Sequence, residues 1–323
     1  MTLTLFADLG LLIILLGLAI ITAFARPAFV AVAAYMAYGL VMALAWVRLA
    51  AVDVALTEAA IGSGLTGMLL LGAVAWNQRQ TEAHPRRRQI RLQVPATHPL
   101  LIIVVAAVCA GVSAVLAWVV VTLPEPPTLQ VEQVRLALPA TGLGNPVTGV
   151  LLAFRAIDTL LESVVLVFAL VGVWSLADDA AWGGRPRSLR LVQHSHALTL
   201  LGQLLPPFGV LMGLYLFWAG ADAPGGAFQG GTLLAAMWVL ALSAGLAKVP
   251  AVSNRQLRLL ISIGSLLFLA IGLAGWVSGV GFLGYPAGWS KALILIIEAT
   301  LTLSIAVTLG MLVAGRPHRA LPR

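Results

Sequence analysis

Nine stretches of this chain run for about twenty residues each with almost no charge, the length a helix needs to cross a hydrocarbon core of about 30 Å. Helices are expected at Leu3–Phe24, Ala28–Trp46, Val54–Trp76, Pro99–Leu123, Val147–Ser175, Leu198–Ala219, Gly231–Val249, Leu257–Gly279 and Trp289–Val313. The fold class that follows is an all-α polytopic membrane protein with about nine transmembrane helices. Composition agrees: 60% of residues are hydrophobic, 10% are charged, and the mean hydropathy is +1.00. A soluble domain carries roughly 25% charged residues to face water, so the lipid bilayer must be the main surroundings of this chain. The first helix has no basic leader and too long an apolar core for a signal peptide.

The net charge of +7 has a topological origin. Arg26 follows the first helix, and Arg79, Arg86, Arg87, Arg88 and Arg91 follow the third. Arg185, Arg187 and Arg190 follow the fifth, Lys248, Arg255 and Arg258 flank the turn after the seventh, and Arg316, Arg319 and Arg323 form the tail. Fifteen of the 19 basic residues thus fall in alternate loops. Such a bias predicts an outside N-terminus and a cytoplasmic C-terminus, and no nucleic-acid partner is implied. Cys109 stands alone in an apolar run, where it reads as a small hydrophobe. Redox chemistry and thiolate metal sites are therefore not expected.

Polar linkers divide the helices three, two and four. The expected units are residues 1–78, a basic cytoplasmic linker at 79–98, residues 99–177, a second cytoplasmic linker at 178–195, and residues 196–323. The segment Leu123–Gly144, with Glu125, Pro126, Pro127 and Glu132, is read as external. There is no internal repeat of the kind that builds self-contained transporters.

A charge at the bilayer centre costs about 2.5–3.5 kcal/mol even on lenient scales, so every such residue is informative. On the third helix, Asp53 sits near the outer interface and Glu58 about 7 Å deeper. Gly62, Ser63, Gly64 and Gly67 follow, a stretch that permits close packing or a π-bulge. For Asp53 a helix cap is the leading reading, with the glycines as a packing seam. On the fifth helix, Arg155, Asp158 and Glu162 are spaced three and four apart, which would place them on one helical face. Arg155 could neutralise one carboxylate and leave the other, Glu162, to exchange a proton; a static ion-pair network is the alternative. On the ninth helix, Lys291 and Glu298 lie two turns apart on one face. Lys291 could reach water by snorkelling, whereas Glu298 must face protein or a hydrated cavity.

Pro224, Gly225, Gly226, Gly230 and Gly231 belong to a glycine-rich external turn, read as a structured element that docks on its neighbours. It lacks the lysine and context of a phosphate loop. His194 and His196 suit either a proton entry point or an interfacial polar pair, and they lack the companions of a metal site. No metal, cofactor or catalytic residue is expected.

These motifs carry a resemblance. Asp53-Val-Ala-Leu-Thr-Glu58-Ala resembles the small unit fused to the C-terminal end of the large A-type chain in Mrp antiporters, which in membrane-bound hydrogenases is the separate D-type chain. Asn145-Pro-Val-Thr148 with Arg155, Asp158, Thr159 and Glu162 looks like the next, E-type unit. The last four helices, with Pro224-Gly-Gly-Ala-Phe-Gln-Gly-Gly231, are similar to the B-type chain of Mrp antiporters, with Ala227 where that turn usually has a third glycine. The resemblance implies a membrane subunit of a Mrp-like Na⁺/H⁺-translocating module, with Glu58, Asp158 and Glu162 as candidates for the ion path. It implies large antiporter-like and small NuoK-like chains as partners, and H⁺ and Na⁺ as candidate ions. The large ion-pumping part of the A-type chain is absent from this sequence, so the chain is expected to be one component. The competing expectation is a structural bridge in a module joined to a hydrogenase, formate-oxidising or inorganic-carbon-handling enzyme. With no cluster-binding cysteines, flavin loop or nucleotide site, the chain is not expected to be an enzyme itself. The expected location is a bacterial or archaeal inner membrane.

Overall fold

A computed structural model describes residues 2–83, 99–123, 129–186 and 196–318. The chain forms two compact units, residues 1–71 with 134–323, and residues 72–133. The smaller unit holds the end of α4 (Thr66–Ala83), all of α5 (Pro99–Thr122) and the start of α6 (Leu129–Thr141). No residue of α5 is buried within the chain. It is apolar all round, a composition that suits a membrane span.

In the larger unit α1 (Thr2–Phe24) packs on α2 (Ala28–Arg48), with an exposed Arg48–Asp8 ion pair of 2.9 Å. The third span begins as α3 (Val52–Thr57), becomes a π-helix over Glu58–Leu65, and resumes as α4. The glycine-rich sequence there weakens the regular ladder, and the wider helix packs against α2. The fifth span begins at α7 (Pro146–Gly149), where the Asn145 side chain accepts the Val147 N–H and Pro146 occupies the first turn. A second π-helix, Val150–Phe154, leads into α8 (Ala156–Ser175). The last four helices are α9 (His196–Ala219), α10 (Ala227–Ser243), α11 (Arg255–Val277) and α12 (Ser290–Ala314). Helix α12 is the hub: 56% of its apolar stretch is buried, against α10, α11 and α8. Phe268, Ile294, Ile297, Leu301 and Ile305 form the centre of that core.

Backbone contacts sort the connections of this unit into two ends. At one, Gly144 and Asn145 donate to Ala221 O, and the Tyr285 hydroxyl donates to Leu152 O at 2.7 Å. At the other, Val252 and Ser253 donate to Gly184 and Gly183, Arg316 donates to Leu176 O, and strand β1 (Arg185–Pro186) pairs antiparallel with β2 (Pro317–His318).

Among the described residues, eight helices are long and apolar enough to cross a membrane. The pair Val131–Thr141 and Pro146–Phe154, bent by 88°, would make a ninth. The chain is a multi-pass membrane protein. Helix α10 has only 17 residues, because it ends at Ala244 and Gly245, where Gly245 takes a φ of 75°.

Several expectations are corrected. The stretch Leu123–Gly144, read as a plain loop, contains helix α6. The fifth span is not one continuous helix: Arg155, at φ −130° and ψ 39°, breaks it. Gly230 and Gly231 are not in the turn, since α10 starts at Ala227. They lie where α10 meets α9 and α12, and a Cβ on Gly231 would stand 2.9 Å from Ile305. His194 lies outside the described residues; His196 opens α9.

Candidate functional site

Asp53 lies in the first turn of α3, but it does not cap that helix. Its carboxylate reaches across the unit instead, accepting the Gly225 N–H at 2.9 Å and the Asn145 Nδ2–H at 3.3 Å. Asn145 also donates to Ala223 O at 3.0 Å. From α10, the Gln229 side-chain amide donates to Asp53 O at 3.3 Å and to Thr57 Oγ1 at 3.0 Å. One buried aspartate thereby ties α3 to both Asn145 and the turn before α10. A buried carboxylate with charge-assisted donors is strongly held.

Beside this knot lies a cavity of about 180 Å³, with room for roughly six waters. Asp53 and Thr57 of α3, Thr148 of α7, Thr159 and Glu162 of α8, and Glu298 of α12 line it. Gly225, Gly226 and Gln229 complete its polar wall. Among the described residues no lysine or arginine lines it, so its three carboxyl groups are free of a cationic partner in the lining and chemically suited to protons or cations.

Glu298 is the most enclosed of the three, at 2% exposure. It accepts the backbone N–H of Ala227, the first residue of α10. An anion there also meets the positive end of the helix dipole. Its Oε2 is buried and has no partner within the described residues. A buried oxygen left in that state calls for a proton, water or cation. Glu162 lines the same cavity and is itself exposed.

Arg155 lies at a break just ahead of α8, the helix that carries both Asp158 and Glu162. Arg155 and Asp158 bond each other at 2.6 Å with side chains 70% and 45% exposed, away from the cavity lining. The expected trio is therefore divided in its partners: Asp158 and Glu162 still lie one turn apart on α8, but Arg155 and Asp158 form an exposed pair and only Glu162 lines the cavity. The carbonyls loosened at the break are recaptured: Thr159 Oγ1 donates to Leu151 O at 2.8 Å, and Tyr285 to Leu152 O. Burial pushes the Tyr285 phenol well above its ordinary range, which keeps it a donor.

Lys291 and Glu298 do not act together either. Lys291 bonds both carboxylate oxygens of Asp222 at 2.7 Å, at the end of the bundle. That bond holds the Asp222 carboxyl below its usual range. Glu58 is half-buried, with its carboxylate over Gly62 and beside Gly39 of α2, and it does not line the cavity. Sequence reasoning missed Thr148, Thr159 and Gln229 as site groups, and Asn145 entered it only as part of the Asn145-Pro-Val-Thr148 motif. Among the described residues no three His, Cys, Asp or Glu side chains gather to hold a metal ion.

Comparison with known proteins follows the same segments. The MbhD family model, which describes the D-type chain of MBH, matches residues 13–79, and the MbhE model, for the E-type chain of MBH, matches residues 100–180. A domain related to the MnhB subunit of Na⁺/H⁺ antiporters matches residues 197–316. The chain is 25% identical over 272 residues to a probable K⁺/H⁺ antiporter A/B subunit of Rhizobium meliloti (strain 1021), covering 77% of this chain and 26% of the relative. It is 31% identical over 150 residues to an uncharacterised protein of Methanocaldococcus jannaschii, covering 42% of this chain and 57% of the relative. The chain thus spans about a quarter and just over half of these relatives' lengths. A solved Mrp complex from Dietzia sp. DQ12-45-1b has a chain of the same fold, with TM-score 0.68 and 24% identity over 97% of this chain and 35% of that one. A membrane-bound sulfane sulfur reductase, an archaeal respiratory membrane complex, matches with TM-score 0.55 and 24% identity over 66% of this chain and 97% of that one.

Proposed function

Since the chain fuses MbhD-, MbhE- and MnhB-type units and so belongs to the Mrp/MBH family of membrane modules, we propose that it is a subunit of a Mrp-like cation/proton-translocating complex of the prokaryotic cell membrane. Its part is to carry a proton or monovalent cation through the cavity between Asp53, Glu162 and Glu298. The observation that carries this reading is Glu298, buried to 2% exposure with one oxygen unpartnered, in the lining of a cavity that Asp53 and Glu162 also line. Such a carboxylate is costly in a membrane unless it exchanges a proton or holds an ion. Glu58 and Asp158 stand outside the cavity lining, and their place in the path is secondary. The Lys and Arg bias of the loops supports an orientation with the Asp53 end outward. The unit boundaries at 1–78, 99–177 and 196–323, with large antiporter-like and small NuoK-like chains as partners, belong to the same proposal. In this reading the chain is a transporter component and not itself an enzyme.

In inverted vesicles holding the whole complex, Glu298→Gln and Glu162→Gln are each expected to cut cation-driven proton movement to less than a tenth, with assembly on native gels unchanged. Wild-type transport in both variants overturns the proposal.

A second reading has its own support in the Asp53–Asn145–Gly225 knot: the chain as a bridge that holds larger subunits together, in an antiporter or beside an enzyme. Under it, Glu162→Gln either transports normally or breaks the complex apart.

A further inference from the structure

We propose that Asp53 is a positioning residue for Glu298, acting through the glycine turn that joins α9 to α10. Asp53 holds the N–H of Gly225 at 2.9 Å. Gly226 follows with φ 129°, a conformation that side-chain-bearing residues rarely adopt, and it is the N-cap of α10. Ala227 comes next, and its N–H is the donor to Glu298. Three consecutive residues thus run from the carboxylate of α3 to the carboxylate of α12. Besides Asp53, the turn is held by the Gly226 N–H, which donates to Leu216 O at 2.9 Å, and a Cβ on Gly226 would stand 3.3 Å from Glu298 Oε1. With Gly225 released, one of the turn's anchors is lost, the Ala227 N–H is held less closely to Glu298, and an acceptor with one oxygen already unpartnered has a weakened donor.

The other charges around Glu298 leave this route distinct. Helix α8 brings Glu162 to the cavity, while Asp158 pairs with Arg155 outside it. Helix α11 carries only Arg255 and Arg258, at the opposite end, and α10 carries no charge. On α12 itself, Lys291 is engaged by Asp222. Helix α9 adds only His196, at its start.

The inference rests on the reading of Glu298 as a proton-exchanging group, but its test does not need transport. A hydrophobic carbodiimide modifies protonated carboxyls inside membranes, and mass spectrometry of the intact complex in vesicles reads labelling of Glu298 against pH. Ala227→Pro deletes the donor N–H directly at a helix position where proline is tolerated. Asp53→Ala removes the anchor of the turn. Both are expected to carry Glu298 labelling to higher pH by about one unit, because a carboxylate stripped of a donor keeps its proton longer. Asp53→Asn still accepts from Gly225 without charge assistance and is expected between wild type and Asp53→Ala. Gln229→Ala, which cuts the parallel tie to α3, is expected to leave the labelling midpoint in place. If Asp53→Ala does not assemble, Asp53→Asn decides: a displaced midpoint supports the inference and an unmoved one overturns it. A shift in Ala227→Pro with none in either Asp53 variant also overturns it. Transport that survives Glu298→Gln while the midpoint moves in Asp53→Ala would sink the transport reading and leave the positioning role standing.

Discussion

Two groups of charges on this chain are spaced in opposite ways in the sequence and meet in opposite ways in the fold. Arg155, Asp158 and Glu162 are spaced as neighbours on a helix, whereas Asp53, Glu162 and Glu298 are scattered over nearly 250 residues. Yet the second set lines one cavity, whereas of the first only Glu162 does, Arg155 and Asp158 forming an exposed ion pair. Local spacing fixes which groups share a helical face, but not which of them meets a cavity. A buried carboxylate in a membrane gains its meaning from what tertiary packing sets opposite it.

The sharpest way to break this contrast is at the turn. Gly226→Val places a branched side chain at φ 129° and against Glu298. It should abolish transport and lower stability by about 1–3 kcal/mol, read as lost vesicle activity and an earlier thermal transition in detergent. Full activity in that variant would mean that the cavity geometry is irrelevant. A middle effect is expected at the exposed pair. An exposed ion pair is worth about 0–1 kcal/mol, so Asp158→Asn should reduce transport by no more than about twofold. A tenfold loss would show instead that a neighbouring chain buries the pair in the assembled complex, and the contrast between the two groups would narrow.

The smallest effect belongs to Lys291 and Asp222 at the end of the bundle. Lys291→Met should cost roughly 0.2–1 kcal/mol, and the cost should fade in high salt. The Lys291 bond lowers the Asp222 carboxyl's affinity for a proton in the folded state. Its contribution is therefore complete above the ordinary aspartate range and is lost as pH falls below about 4. Melting curves of wild type and Lys291→Met should converge at acid pH; a gap that widens there would contradict the assignment.

Much of the architecture was legible because membranes demand little ambiguity. A span must be long, apolar and helical, so the positions of the third, fourth and last spans could be read from hydropathy alone. The π-helix over Glu58–Leu65 also had a local cause, the cluster of small residues at Gly62, Ser63 and Gly64. The second π-helix, Val150–Phe154, did not announce itself. Its residues are ordinary helix-compatible apolar types, and its freed carbonyls are satisfied by Thr159, eight residues on from Leu151, and by Tyr285 from a distant loop. Helix α6 was hidden for a similar reason: Pro139 and several polar residues made the segment read as a connection.

By itself, the sequence determined that the chain lives in a bilayer, roughly where it crosses, and that Glu298 has no route to water along its own helix. Those conclusions follow from the solvation of single groups and from the length of single helices. Only the tertiary structure decided that Asp53 grips a backbone N–H of a turn 172 residues away, and that this turn aims a helix N-terminus at Glu298. Hydrogen bonds between distant segments leave no periodicity in the chain. They arise when close-packed helices bring small residues such as Gly225 and Gly226 within reach of a carboxylate that lipid cannot solvate.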